Sequence, residues 1–276
     1  MPSILHYEFM VRALLGGAIV GVLAPSLGMF LVLRRFSLIA DTLSHVALMG
    51  VAVGLATSSN PAIVALAAAT LGAVVIEWLS AHQRLPGDVA LAVVLYAALA
   101  VAVVIISGAR GLNVDLFAFL FGSVLSIDPL DLWLLLGLAA AVALYVTIFF
   151  SELSQSSFDP DLARVTGVPV GWINLGLAVL TGATITLSMR VVGVLLVGAM
   201  LVVPVLAGQR LASGLRSVLA VAAAIGIASA IAGLTTAFYA DVSAGGAIVL
   251  SAIVLLVAAQ GIAMVRSRVS GGDPER

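Results

Sequence analysis

Apolar runs about as long as a bilayer-crossing helix follow one another along almost the whole chain. The hydrocarbon core of a membrane takes about 20 helical residues. Windows of that kind fall at 10–33, 36–58, 61–81, 88–107, 130–150, 172–189, 191–209, 217–238 and 246–265. Short breakers separate them: Arg34-Arg35, Asn60-Pro61, Pro86-Gly87, Arg190 and Gly245-Gly246. The pattern predicts an all-α, polytopic transmembrane bundle of about eight or nine spans, forming a single domain over residues 1–276. Pro25 and Pro204 lie inside spans, where a proline frees carbonyls that the bundle must satisfy. Small-x-x-x-small spacings, as in Gly17–Gly21 and Gly50–Gly54, predict close approach between helices.

Two stretches between spans break the pattern. Residues 116–127 (LFAFLFGSVLSI) are apolar but too short to cross, which suits a re-entrant or interfacial helix on the outer side. Residues 151–171 form the longest polar segment. Within it Asp159 is placed to cap a helix beginning at Pro160, Gly167 to close it, and Pro169 to prevent its continuation. An isolated helix of about two turns is not stable in water. With Leu162, Ala163 and Val165 as its apolar residues it needs a surface, either its own bundle or a partner.

Composition names lipid as the main solvent, since 63% of the 276 residues are hydrophobic and 9% charged. There is no cysteine, so disulfides and thiolate metal sites are excluded. All twelve basic residues are arginine. A phosphate-binding P-loop needs its lysine, so ATP must be bound by another polypeptide if it drives anything here. A net charge of −1 offers no basic surface for nucleic acid. No Ser/His/acid constellation, H-E-x-x-H or nucleophile elbow appears, so the chain reads as no enzyme.

Arginine placement sets orientation, because cytoplasmic loops collect positive charge. With the 151–171 loop inside, Arg34, Arg35, Arg84, Arg164, Arg210, Arg216, Arg266, Arg268 and Arg276 share one side, against Arg12, Arg110 and Arg190 on the other. This predicts a multi-pass protein of the plasma or inner membrane. A cytoplasmic tail over 266–276 follows and, for nine spans, an outer N-terminus. The first segment lacks the pattern of a cleaved signal peptide and reads as a retained span.

Asp41 and His45 are the chemistry-bearing pair. Four residues apart, they share a helix face, with Leu38, Leu48 and Met49 beside them. An acid at the centre of a spanning helix costs roughly 2.5–3.5 kcal/mol on insertion scales. Such a residue points to function when a partner or wet cavity compensates it. The two readings are an intramembrane hydrogen bond and half of a transition-metal coordination sphere. The remaining ligands would be carbonyls, water or an acid such as Asp241. Glu77 reads as an interfacial anchor near His82 and Arg84, and Asp88 as a helix N-terminal acid. Asp128, Asp131 and Asp241 read as outer-loop acids.

Four ordered motifs then carry a resemblance over about residues 10–265. They are LRRFSLIADTLSHVALMGVAVG (33–54), VDLFAFLFGSVL (114–125), FDPDLARVTG (158–167) and VVGVLLVGAMLVVPVLAG (191–208). Together they resemble the membrane permease subunits of the zinc/manganese (ABC-3) family of ABC importers. The resemblance implies a transport subunit with no tightly bound cofactor, dimerising with a second copy or a paralogue. It also implies a separate cytoplasmic ATPase and an extracytoplasmic metal-binding protein as partners. The S-x-x-x-D-x-x-x-H motif, begun by Ser37, would give Asp41 and His45 a role in the passage of Zn²⁺, Mn²⁺ or Fe²⁺. Phe158, Asp159, Ala163 and Gly167 would belong to a coupling helix that contacts the ATPase. The rival expectations are a siderophore- or cobalamin-type permease and a proton-coupled secondary transporter.

Overall fold

The computed structural model describes residues 6–36, 38–82, 87–108, 127–189 and 191–270. The short stretch over 116–127, apart from Ile127, lies outside them, as do Ser37, Arg84, Arg110 and Arg190. Eleven helices and no strand occur among the described residues. They are α1 (Glu8–Leu33), α2 (Ile39–Ala56), α3 (Pro61–His82), α4 (Gly87–Gly108), α5 (Pro129–Ile148) and α6 (Phe150–Phe158). After these come α7 (Pro160–Val165), α8 (Val170–Ser188), α9 (Val194–Leu211), α10 (Leu215–Ala240) and α11 (Ala244–Ser270).

Each of the nine apolar windows coincides with a helix, and eight of these helices are long and apolar enough to cross a membrane. The ninth, α9, has eighteen residues, as α2 does, and starts inside the bundle. Gly193 ahead of it has φ 89°, and Val191 and Val192 are fully buried. Gly16, eight residues into α1, packs on Val191. The break expected as a loop around Arg190 is therefore flanked by buried chain. At the other end α11 continues to Ser270, so the expected tail is helical over 266–270.

Local signals account for the element ends. Asn60 Oδ1 accepts from the Ala62 and Ile63 N–H groups, with Pro61 as the first residue of α3, a side-chain cap followed by a proline already set for helical φ. Asp128 caps α5, and Asp131 returns the bond to the Asp128 N–H at 3.0 Å. These two acids are thus a capping box, and Asp88 lies in the first turn of α4 as expected.

α1 packs on α5, α9 and α10, and α11 lies against α9 and α10. α2 is flanked by α3, α4, α8 and α9. The outer helices turn large apolar residues outward, among them Tyr96 and Val104 on α4, Trp133 on α5, and Leu250 and Val254 on α11. That surface suits hydrocarbon. Inside, several hydroxyls bond back along their own helices, as Ser44 Oγ does on the Ala40 carbonyl and Thr181 Oγ1 on that of Leu177. Neither internal proline breaks its helix: α1 runs through Pro25 and α9 through Pro204.

Candidate functional site

α2 is nearly enclosed, with twelve of its eighteen residues buried. Between Ile39 and Gly54 only Asp41, His45, Met49 and Val53 stay open, every fourth residue and hence one face. Leu38, 59% exposed, continues that face ahead of the helix. The Asp41 side chain is 52% exposed and that of His45 20%.

The depth of this face comes from the packing register. The α carbon of Gly198 faces Ala40 and the Asp41 backbone. Gly28 of α1 faces Leu201 on the same helix, α9. With 1.5 Å of rise per residue, Gly198 is level with Pro25, about 12 Å short of the α1 end at Leu33. Asp41 is in the first turn of α2, since that helix starts at Ile39 rather than Phe36. It lies deep nonetheless, because the chain folds back into the bundle after α1. Arg35 takes a left-handed conformation (φ 60°), and the Phe36 N–H returns to the Leu31 carbonyl at 2.9 Å.

His45 Nε2 and Asp41 Oδ1 are 3.9 Å apart, too far for a hydrogen bond. Of the two readings, a hydrogen bond from His45 to Asp41 is not formed in this structure. His45 Nδ1 is buried with no hydrogen-bond partner. Two ligand atoms on one tetrahedral ion, each about 2.0–2.2 Å from it, lie about 3.4 Å apart. A small torsional adjustment brings these two to that spacing. No group of three or more His, Asp or Glu side chains gathers among the described residues. Asp241 is not brought to the pair: it caps the far end of α10 in a left-handed conformation (φ 52°).

Glu77 is not an interfacial anchor. Its carboxylate accepts from Arg34 Nη2 at 2.8 Å, and both side chains are largely buried, at 12% and 8% exposure. Sequence reasoning treated Arg34 as a loop separator and missed this pair. The available signal was an acid inside the 61–81 apolar window.

The polar loop folds as its punctuation predicts. Asp159 Oδ1 accepts from the N–H groups of Asp161 at 3.1 Å and Leu162 at 3.0 Å, capping α7. Gly167 (φ 87°) closes it, with the Gly167 N–H on the Arg164 carbonyl and the Val168 N–H on that of Ala163, a Schellman end that a left-handed glycine permits. Ala163 is buried, whereas Phe158, Leu162 and Val165 are 66%, 61% and 84% exposed. The helix is anchored by one small residue and turns its larger apolar side chains away from its own bundle.

The chain matches the ABC 3 transport family over residues 6–263. It is 35% identical to a manganese transport system membrane protein of Halalkalibacterium halodurans, across 93% of this chain and 88% of that one. It is 32% identical to a high-affinity zinc uptake system membrane protein of Haemophilus influenzae, across 91% and 96%. The fold superposes on a chain of PsaBC from Streptococcus pneumoniae, solved in complex with Fab, with a TM-score of 0.81 and 30% identity over 93% of this chain and 92% of that one. A putative metal-chelate type ABC transporter in an inward-facing conformation shares the fold alone, at 14% identity, a TM-score of 0.71 and coverage of 93% and 86%. With its matched segment spanning nearly all of the bundle, this chain belongs to the ABC 3 transport family.

Proposed function

We propose that this chain is the membrane permease of an ATP-driven importer of divalent transition-metal ions, with the ion passing the Asp41–His45 face of α2. One observation carries the reading: a carboxylate and an imidazole share the only open face of an otherwise enclosed helix, well inside the bundle. Lipid is a poor neighbour for that carboxylate. A second copy of the chain, or a paralogue, covers the face and makes it the wall of a path. Two-fold symmetry then sets two Asp41–His45 pairs across one axis, four ligands of the oxygen and nitrogen types that Zn²⁺, Mn²⁺ and Fe²⁺ accept. The relatives named as manganese and zinc transport proteins support that substrate class.

The energy source is a separate ATPase, because a chain without lysine has no P-loop. Phe158, Leu162 and Val165 on and beside α7 are its docking surface, with Asp159 and Gly167 fixing the helix ends and Ala163 seating it on the bundle. The arginine bias puts α7 and the C-terminal end of α11 in the cytoplasm. Metal arrives on the opposite side from an extracytoplasmic binding protein. Reconstitution with the ATPase tests this reading. Uptake of Mn²⁺ or Zn²⁺ must require ATP and disappear in Asp41→Ala and His45→Ala variants that still assemble. Uptake independent of ATP would instead favour a secondary transporter.

A further inference from the structure

The α2–α3 register brings Glu77, the partner of Arg34, level with the first turn of α2, and we propose that Arg34 and Glu77 are a positioning pair that holds the Asp41 face in register. The inference rests on the metal-passage reading of Asp41 and His45. Arg34 Nη2 donates to both Glu77 oxygens, at 2.8 and 3.4 Å. Its guanidinium carbon lies 4.8 Å from the centre of the Phe36 ring. Stability alone does not account for this arrangement. Buried ion pairs are commonly matched or bettered by apolar residues of similar volume, and Arg34 Nη1 remains buried with no hydrogen-bond partner.

Geometry gives the pair its role. α2 and α3 are antiparallel, with Gly54 on Pro61, Gly50 on Ala65 and Gly72 on Val46. Continuing that register brings Glu77 level with the first turn of α2, the turn that carries Asp41. On the other side, Arg34 caps α1 at the start of the tight turn into α2. Across that turn the Ile39 N–H bonds the Phe36 carbonyl at 3.0 Å, and the Thr42 N–H bonds that of Leu38 at 3.0 Å. The pair thus closes a ring: α1 end, turn, α2, α3, and back through Glu77 to Arg34. Asp41 is carried on the α2 stretch of that ring. Sliding α2 along α3, or lifting the turn, changes the height of Asp41 and breaks the Arg34–Glu77 contact.

The test uses the full permease–ATPase complex in vesicles, reading Mn²⁺ and Zn²⁺ uptake against metal concentration, basal ATP hydrolysis and complex assembly. Arg34→Met, Glu77→Gln and the double variant Arg34→Met/Glu77→Met are compared with Asp41→Asn. The double variant leaves no unpaired buried charge and is the one expected to retain the fold. This variant is expected to assemble and hydrolyse ATP normally while its KM for metal rises roughly 10-fold or more, the size of effect seen when a support of a metal ligand is removed. A wild-type KM in the double variant overturns the pair while leaving the site intact, provided that Asp41→Asn is inactive. Failure of the double variant to assemble also overturns it, making the pair a folding requirement. Full uptake by Asp41→Asn removes the site itself, and the pair's role with it.

Discussion

The carbonyl oxygen of Gly21 lies against the α carbon of Gly226, so close that a β carbon on Gly226 would sit 2.0 Å from it. Gly21 is the residue four before Pro25, and a proline there has no N–H to offer that carbonyl. The neighbouring helix fills the gap with its backbone, and a Cα–H···O contact takes the place of the lost bond. Gly28 makes an equally close approach, with its β position 1.8 Å from the Leu201 carbonyl oxygen, but the carbonyl that Pro204 leaves without its helical donor is that of Met200.

Gly226→Ala is therefore expected to push α10 off α1 and destabilise the bundle. Overpacking of this kind costs about 1–3 kcal/mol, read as a lower unfolding midpoint in detergent. An unchanged midpoint would mean that the two helices are not held at this spacing.

α7 depends on its two ends. Asp159→Ala removes the side-chain cap, worth about 1 kcal/mol, and Gly167→Ala forces a left-handed residue at a similar cost of roughly 1–2 kcal/mol. Both variants are expected to speed hydrogen exchange over residues 160–166 while leaving the α1–α2 region unchanged. Equal exchange in wild type and variants would contradict the capping account.

Docking through the apolar face of α7 makes a separate prediction. Leu162→Glu or Val165→Glu leaves the bundle intact, because both side chains are exposed, but weakens ATPase capture. Charge reversal at Asp159 or Asp161 uncouples ATP hydrolysis from uptake. Undiminished stimulation of the ATPase in these variants would place the contact elsewhere.

Much of this was legible in the sequence. Period and length located all nine apolar helices, and Asp159, Pro160 and Gly167 marked the ends of a short helix, found over Pro160–Val165, because caps act through neighbouring backbone. What depended on the third dimension was not legible. Nothing local shows that the chain re-enters the bundle after Arg35, so Asp41 looked deep for the wrong reason. The start of α9 inside the bundle depends on the buried turn at Val191–Val192, which reads as ordinary apolar sequence. Arg34 and Glu77 are 43 residues apart in the chain, and only the pairing of α3 with α2 brings them together. Asp241 was the converse case, an acid of suitable type that the fold leaves at the wrong end.

If Asp41 and His45 carry the ion, uptake depends on both side chains. The decisive measurement is uptake of Mn²⁺ and Zn²⁺ by the reconstituted permease–ATPase complex, for wild type, Asp41→Ala and His45→Ala at equal assembly. Each substitution is expected to abolish ATP-dependent uptake of both ions. Wild-type uptake in both variants would contradict that role.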